Sequence, residues 1–203
     1  MTMDHLNLQI DLSQLPWPDE NSHVFLRGEP SRRVAWIPKD PAQWHRYACG
    51  YKEAAERVYE SWVALSDDSL VFPIVFLYRH YVELRLKELL QSAERYLDLP
   101  REWQSNHKIG ELWGCLNQLL PQIFPDEPEA DLQNAGRLVR ELAQGDPLSF
   151  HFRYPESKDG RQHLENLERL DIVSFADAMR RLSAFLDGAS MALSVYTENQ
   201  GTI

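Results

Sequence analysis

Several residue classes are scarce in this chain, and each scarcity excludes something. Cysteine occurs twice in 203 residues, at Cys49 and Cys115. Two isolated thiols build neither a disulfide framework nor a cysteine-based metal site. Each is expected to serve as a small buried hydrophobe within a helix. Lysine is rare too: of 21 basic residues, 16 are Arg and 5 are Lys. Arg excess suits bidentate pairing with carboxylates or phosphates, or reflects a compositional habit of the source genome. Basic residues are outnumbered by 31 acidic ones, and the formal net charge of −10 disfavours nonspecific adhesion to nucleic acid through the overall field. It leaves a local basic site open. The longest apolar run, Leu70 to Tyr78, is far shorter than the roughly 20 residues that a membrane helix needs. The start, Met-Thr-Met-Asp-His, has no basic segment followed by an apolar one, so no signal peptide is evident. A cytoplasmic protein without membrane contact is expected. Gly-rich phosphate loops, nucleophile elbows and His-Glu-x-x-His patterns are all missing. The acidic groups Asp67-Asp68 and Asp126-Glu127-Glu129 fall at predicted helix ends, where they suit caps and dipole partners. Neither a metal nor a cofactor is expected.

What is present is a helical pattern. Hydrophobic residues make up 43% and charged residues 26%, ordinary values for a globular protein. Residues 1–38 form an N-terminal arm, irregular or with short strands. Leu6 to Leu12 alternates strictly, which is strand-like, and Pro16-Trp-Pro18 breaks it. His23–Gly28 and Val34–Ile37 could be further extended pieces. Residues 39–203 carry five helices. Asp40-Pro41-Ala-Gln43 is a start signal, with a capping Asp and Pro at the first helical position. Trp44, Tyr47, Tyr51, Ala54, Ala55, Val58 and Trp62 then keep helical spacing up to Ser66–Ser69. The second helix is predicted from about Pro73 to Asp98, and the third from about Ile109 to just before Pro121. The fourth runs from Asp126–Glu129 to Gly145, and the fifth is a long helix from about Asp171. The fold class that follows is an all-α up-and-down bundle. Trp44, Trp62 and Trp113 are expected in its core.

Two segments carry chemistry. Within the second helix, Arg79, His80, Glu83 and Lys87 fall at steps that line up His80, Glu83 and Lys87, with Arg79 beside them. Burying such groups without partners is costly, so they form a polar network or face a site. The second segment lies in the loop from Gly145 to about Leu164. Ser149-Phe-His-Phe-Arg-Tyr-Pro155 alternates. If extended, it sets Phe150, Phe152 and Tyr154 on one side as an anchor and Ser149, His151 and Arg153 on the other.

Glu83-Leu-Arg-Leu-Lys87, then His107-Lys-Ile-Gly-Glu-Leu112, then Arg153-Tyr-Pro155 ahead of the last helix, together resemble the HEPN superfamily. The resemblance spans roughly residues 43–197 in the right order. It implies a helical bundle that commonly forms a homodimer. Many members are metal-independent ribonucleases of toxin–antitoxin or phage-defence systems, and others are noncatalytic. Catalytic members carry an Arg, then four to six residues, then His, and two copies build one site. The only such spacing here is Arg101 to His107, ahead of the third helix rather than near the last.

Metal-free RNA cleavage needs a base for the 2′-hydroxyl, an acid for the leaving oxygen and positive charge on the phosphate. Candidates for that chemistry are His151, Arg153, Arg79 and His80. Tyr154, His107, Glu83 and Lys87 would assist in holding RNA or a nucleotide. Each has a structural alternative. Arg79–Glu83 and Glu83–Lys87 suit i,i+4 ion pairs. His107 suits a helix N-terminal role, bonded to backbone or to Glu83. Arg153 suits pairing with Asp146 or Glu156. The competing expectation for the whole chain is a noncatalytic homodimeric interaction or regulatory module with a partner protein.

Overall fold

The computed structural model describes residues 15–29, 31–37, 39, 43–101 and 106–200. The chain divides into two units, Met1–Pro38 and Lys39–Ile203. The described part of the first unit is irregular. Asp19 closes a turn by accepting from the Asn21 amide at 3.0 Å and the Ser22 hydroxyl at 2.9 Å. Among its described residues no strand forms. The pieces expected to be extended at His23–Gly28 and Val34–Ile37 form no strand; bends fall at Val24, Phe25 and Val34, and the rest of each is irregular. The alternating run Leu6–Leu12 and the capping residues Asp40, Pro41 and Ala42 lie outside the described residues.

The second unit is an all-α bundle. Its helices are α1 (Gln43–Leu65), α2 (Val71–Tyr96), α3 (Ile109–Ile123), α4 (Glu129–Gly145) and α5 (Ile172–Gln200), with a 3₁₀ turn at Asp68–Leu70 leading into α2. Local chemistry fixes several of the ends. Asp67 accepts from the Ser69 amide at 2.9 Å and starts the 3₁₀ turn. Asp171 caps α5, accepting from the Ser174 amide at 3.0 Å and the Ser174 hydroxyl at 2.6 Å. α3 does not stop before Pro121 as its sequence predicts. Pro121 lies inside its last turn, where the missing N–H costs a single bond. Burial of Leu120 and Ile123 holds that turn, and the Phe124 amide closes it on Leu120 O at 2.8 Å.

α2 is the central element and packs against α1, α3 and α5; α4 completes the bundle through α3 and α5. Ile74, Tyr78, Tyr81, Val82, Leu86, Leu89, Leu90 and Ala93 of α2 are all fully buried. Burying an aliphatic or aromatic side chain of this size contributes about 1.5–3 kcal/mol. α3 and α4 meet closely at Gly136, where an added Cβ would stand 2.7 Å from Trp113 Nε1. Trp113 is buried in the core as expected, while Trp44 and Trp62 are half-buried against it. The cysteines depart from expectation. Cys49 and Cys115 are free thiols, and both are exposed, because each falls on the outward side of its helix.

Candidate functional site

Central burial of α2 decides the fate of its charged stripe. Arg79 is 0% exposed, Glu83 1% and Lys87 5%. Arg79 Nη1 donates to Glu83 Oε2 at 2.9 Å, and Lys87 Nζ donates to Glu83 Oε1 at 2.7 Å. These are the i,i+4 pairs that the spacing allows. The remaining Arg79 donors reach across the bundle. Nε donates to Asp146 O at 3.0 Å, and Nη2 donates to His107 O at 2.6 Å and Pro147 O at 3.3 Å. One guanidinium therefore ties α2 to the entry of α3 and the exit of α4. Backbone carbonyls and Glu83 use its polar edge, so no edge remains for a phosphate. Arg79, Glu83 and Lys87, expected to meet a phosphate or ligand, are interior groups joined in this network. Burial pushes the Glu83 carboxyl up, but Lys87 and His107 together outweigh it and hold the group below its ordinary range.

His107 is the surface end of this network. Its Nδ1–H donates to Glu83 Oε1 at 2.8 Å, while its side chain is 69% exposed. The outer nitrogen Nε2 is left to solvent. His80 sits apart, half-buried between rings. Tyr51 of α1 meets it edge-on at 4.4 Å, and Phe76 stacks on it at 5.9 Å. Burial pushes the imidazole below its ordinary value, more than Glu83 raises it, with Arg79, Lys87 and His107 adding to the lowering. His80 is thus a neutral ring at neutral pH.

The loop between α4 and α5 is ordered by its own backbone. The segment Ser149–Pro155 is not extended. Arg153 N and Tyr154 N both bond Phe150 O, at 3.1 and 3.0 Å, which makes it a turn. Asp146 drives the turn. It is fully buried, and its Oδ1 accepts from the Phe150 amide at 2.8 Å and the His151 amide at 3.2 Å. The turn breaks the expected alternation. Phe152 alone is buried, at 8%, while Phe150 and Tyr154 are 43% and 53% exposed. Ser149 takes a left-handed φ of 64°, and Arg153 Nε donates to its carbonyl.

Arg153 therefore projects outward without a carboxylate. Asp146 lies beside Arg79 instead, and neither it nor Glu156 pairs with Arg153 among the described residues. The guanidinium carbon lies 5.4 Å from the centre of the Phe76 ring, 4.9 Å from that of Phe150 and 5.5 Å from that of Tyr154. Phe76 thus contacts both Arg153 and His80. Further along, Glu156 and Gln162 form an antiparallel bridge, and His163 N bonds Pro155 O at 2.9 Å. That fold-back stacks His163 on His151, with ring centres 4.6 Å apart. His151 Nδ1–H donates to Gly145 O at 2.9 Å, so the neutral ring keeps Nε2 as an acceptor. His163 is absent from the sequence-derived set, since twelve residues separate it from His151 and only the bridge brings them together.

A second polar cluster was also missed. Arg85 of α2 is 1% exposed and meets Asp187 Oδ1 of α5 at 2.8 Å. Asp187 also accepts from Tyr81 Oη and Lys52 Nζ, each at 2.8 Å. Arg85 falls outside the 79-80-83-87 stripe, and apart from Glu88 at i+3 its hydrogen-bond partners are 36 to 105 residues away in sequence, so spacing alone did not reveal the cluster. Among the described residues no group of three or more His, Cys, Asp or Glu side chains is placed to hold a metal ion, and no helix is long and apolar enough to cross a membrane. Comparison of the chain with protein-family models, with curated proteins and with solved structures found no match.

Proposed function

We propose that this bundle binds single-stranded RNA or a nucleotide on the face of the α4–α5 loop, and that it is a HEPN-like protein of a defence or toxin–antitoxin system. The observation that carries the reading is Arg153, an exposed guanidinium with no carboxylate partner among the described residues and three aromatic rings around it. An unpaired guanidinium offers two N–H groups to a phosphate. Exposed aromatic faces such as Phe150 and Tyr154 offer stacking surfaces to unpaired bases, an interaction tolerant of sequence. A local site of this kind is compatible with a net charge of −10, because it does not rely on the overall field.

The reading extends to metal-independent cleavage. His151 Nε2 would take the 2′-hydroxyl proton, His163 would protonate the leaving oxygen, and Arg153 would stabilise charge on the phosphate. Arg79, Glu83 and Lys87 would act at one remove, by holding the loop and the start of α3. The protein would work in the cytoplasm as a homodimer. The test incubates purified protein with a mixed RNA pool in EDTA, beside His151→Ala and Arg153→Ala variants. Cleavage by the wild type that both variants lose supports the ribonuclease; equal, absent cleavage by all three ends that part of the proposal.

The noncatalytic interaction module is supported by a separate observation. Val63, Leu65 and Phe72, where α1 passes into α2, are 57%, 72% and 49% exposed. Exposed apolar side chains such as these suit a protein partner. Ser substitutions at all three that leave the solution mass unchanged and still recover the same co-purifying protein would count against that module.

A further inference from the structure

Where α3 turns into α4, the bundle carries a groove of about 760 Å³ that the RNA-binding reading does not use. α5 lines it with Ala184, Gly188 and Ala192, which stand at steps of four and share one side of the helix. Gly188 keeps the middle of that row clear, since a Cβ there would meet no atom within 4 Å. Leu120, Phe124, Leu132 and Phe185 add larger apolar side chains to the lining. Met191 and Val195 lie three residues beyond Gly188 and Ala192 on the same side of α5, and they are 72% and 49% exposed. The α4–α5 loop begins at the other end of α4, about 24 Å away along the helix axis.

The charge of the groove has one sign. Glu127, Glu129 and Asp131 line it, and no Lys, Arg or His does. All three carboxylates are exposed, and among the described residues no cation pairs with any of them. Glu129 accepts from the Gln133 side chain at 2.7 Å, which leaves its charge in place. None of them is the capping residue of α4, which is Pro128. On a chain of net charge −10 such a rim repels phosphate and attracts cations. The occupant must therefore join an apolar surface to positive charge. Shape narrows the class further. The row from Ala184 to Ala192 is about 12 Å long, two turns of a helix. Small side chains along such a row let a second helix approach closely.

We propose that this groove is the docking site for a basic amphipathic helix of a partner protein. The partner's apolar side chains, at i, i+3 or i+4, and i+7, fill the space over Gly188 between Phe124, Leu132 and Phe185. Its Arg or Lys residues lie beside that stripe and meet Glu127, Glu129 and Asp131. Burial of the apolar face supplies affinity, and the rim sets orientation and rejects acidic helices.

The test titrates the full chain, isotope-labelled for amide NMR, with an Ala-based peptide of about 14 residues that carries Leu at i, i+3, i+4 and i+7 and Arg on either side of that stripe. Saturable binding is expected, with a Kd below about 100 μM and amide shifts centred on Ala184–Ala192 and Leu132. A peptide with Gln for Arg binds about tenfold more weakly, and one with Ser for Leu does not bind. The triple variant Glu127→Gln, Glu129→Gln, Asp131→Asn loses about fivefold at low salt and less at high salt. The triple variant Glu60→Gln, Glu165→Gln, Glu168→Gln, which changes the net charge equally, loses little. Gly188→Leu, placed in free space and shown to be folded by circular dichroism, loses at least about tenfold. Five results overturn the proposal. They are no saturable binding, shifts centred elsewhere, equal losses in the two triple variants, an affinity that Gly188→Leu leaves intact, and a solution mass that Gly188→Leu lowers. The last would give the groove to a second copy of the chain. None of these measurements depends on RNA binding.

Discussion

Arg79 and Arg153 are the same side chain in two opposite settings. Arg79 is fully buried, and its donors are used by Glu83 and by carbonyls of three other residues. Arg153 is exposed, bonds one carbonyl through Nε and presents the rest of its charge to solvent among aromatic rings. The contrast teaches that charge in a helical bundle is read by its partners, not by its presence. A guanidinium whose every edge is used holds elements together. One with an edge to spare is where recognition can occur.

The largest expected effect breaks the buried half of this contrast. Glu83→Ala leaves Arg79 and Lys87 buried without their shared carboxylate, which costs about 3–5 kcal/mol. A urea titration followed by circular dichroism measures it, and a loss below about 1 kcal/mol would show that water or rearrangement compensates the two cations. Next is Phe152→Ala, which removes the one loop ring that is buried. It is expected to cost about 3 kcal/mol in global stability and to loosen the turn that aims Arg153. Hydrogen exchange at the Phe150 and His151 amides checks the local part.

Acid should erode the buried region first. His80 is held below its ordinary value near 6.5 and Glu83 below 4.5. For both, the unfolded chain binds protons more readily than the folded one, so stability is present above those ordinary values and is lost as pH falls through the lowered ones. The denaturation midpoint is therefore expected to decline below about pH 6.5 and again in the carboxylate range. His80→Gln removes the first decline and keeps the second. The smallest stability effect falls on the exposed side: Arg153→Ala changes the unfolding free energy by no more than about 0.5 kcal/mol.

The contrast was only half legible in the sequence. Helical spacing located all five helices and placed Glu83 within reach of both Arg79 and Lys87, because those relations repeat every three to four residues. It could not say that α2 is central, and centrality is what buries Arg79. The loop was misread for a local reason. Alternation in Ser149–Pro155 mimics a strand, but the buried Asp146 carboxylate captures two amides and winds the segment into a turn. The His151–His163 stack and the Arg85 cluster depend on contacts between distant parts of the chain, which no local pattern encodes. Pro121 shows the converse, a strong local stop signal overridden by burial of Leu120 and Ile123.

The most direct test of the account compares the two arginine settings against a ligand. Fluorescence anisotropy with a labelled single-stranded oligoribonucleotide, in EDTA, is read for the wild type, Arg153→Ala and Tyr154→Ala, each first shown to be folded. The account predicts binding by the wild type, weakened about tenfold or more by Arg153→Ala and less by Tyr154→Ala. Equal affinity of wild type and Arg153→Ala, or no binding by either, would contradict it.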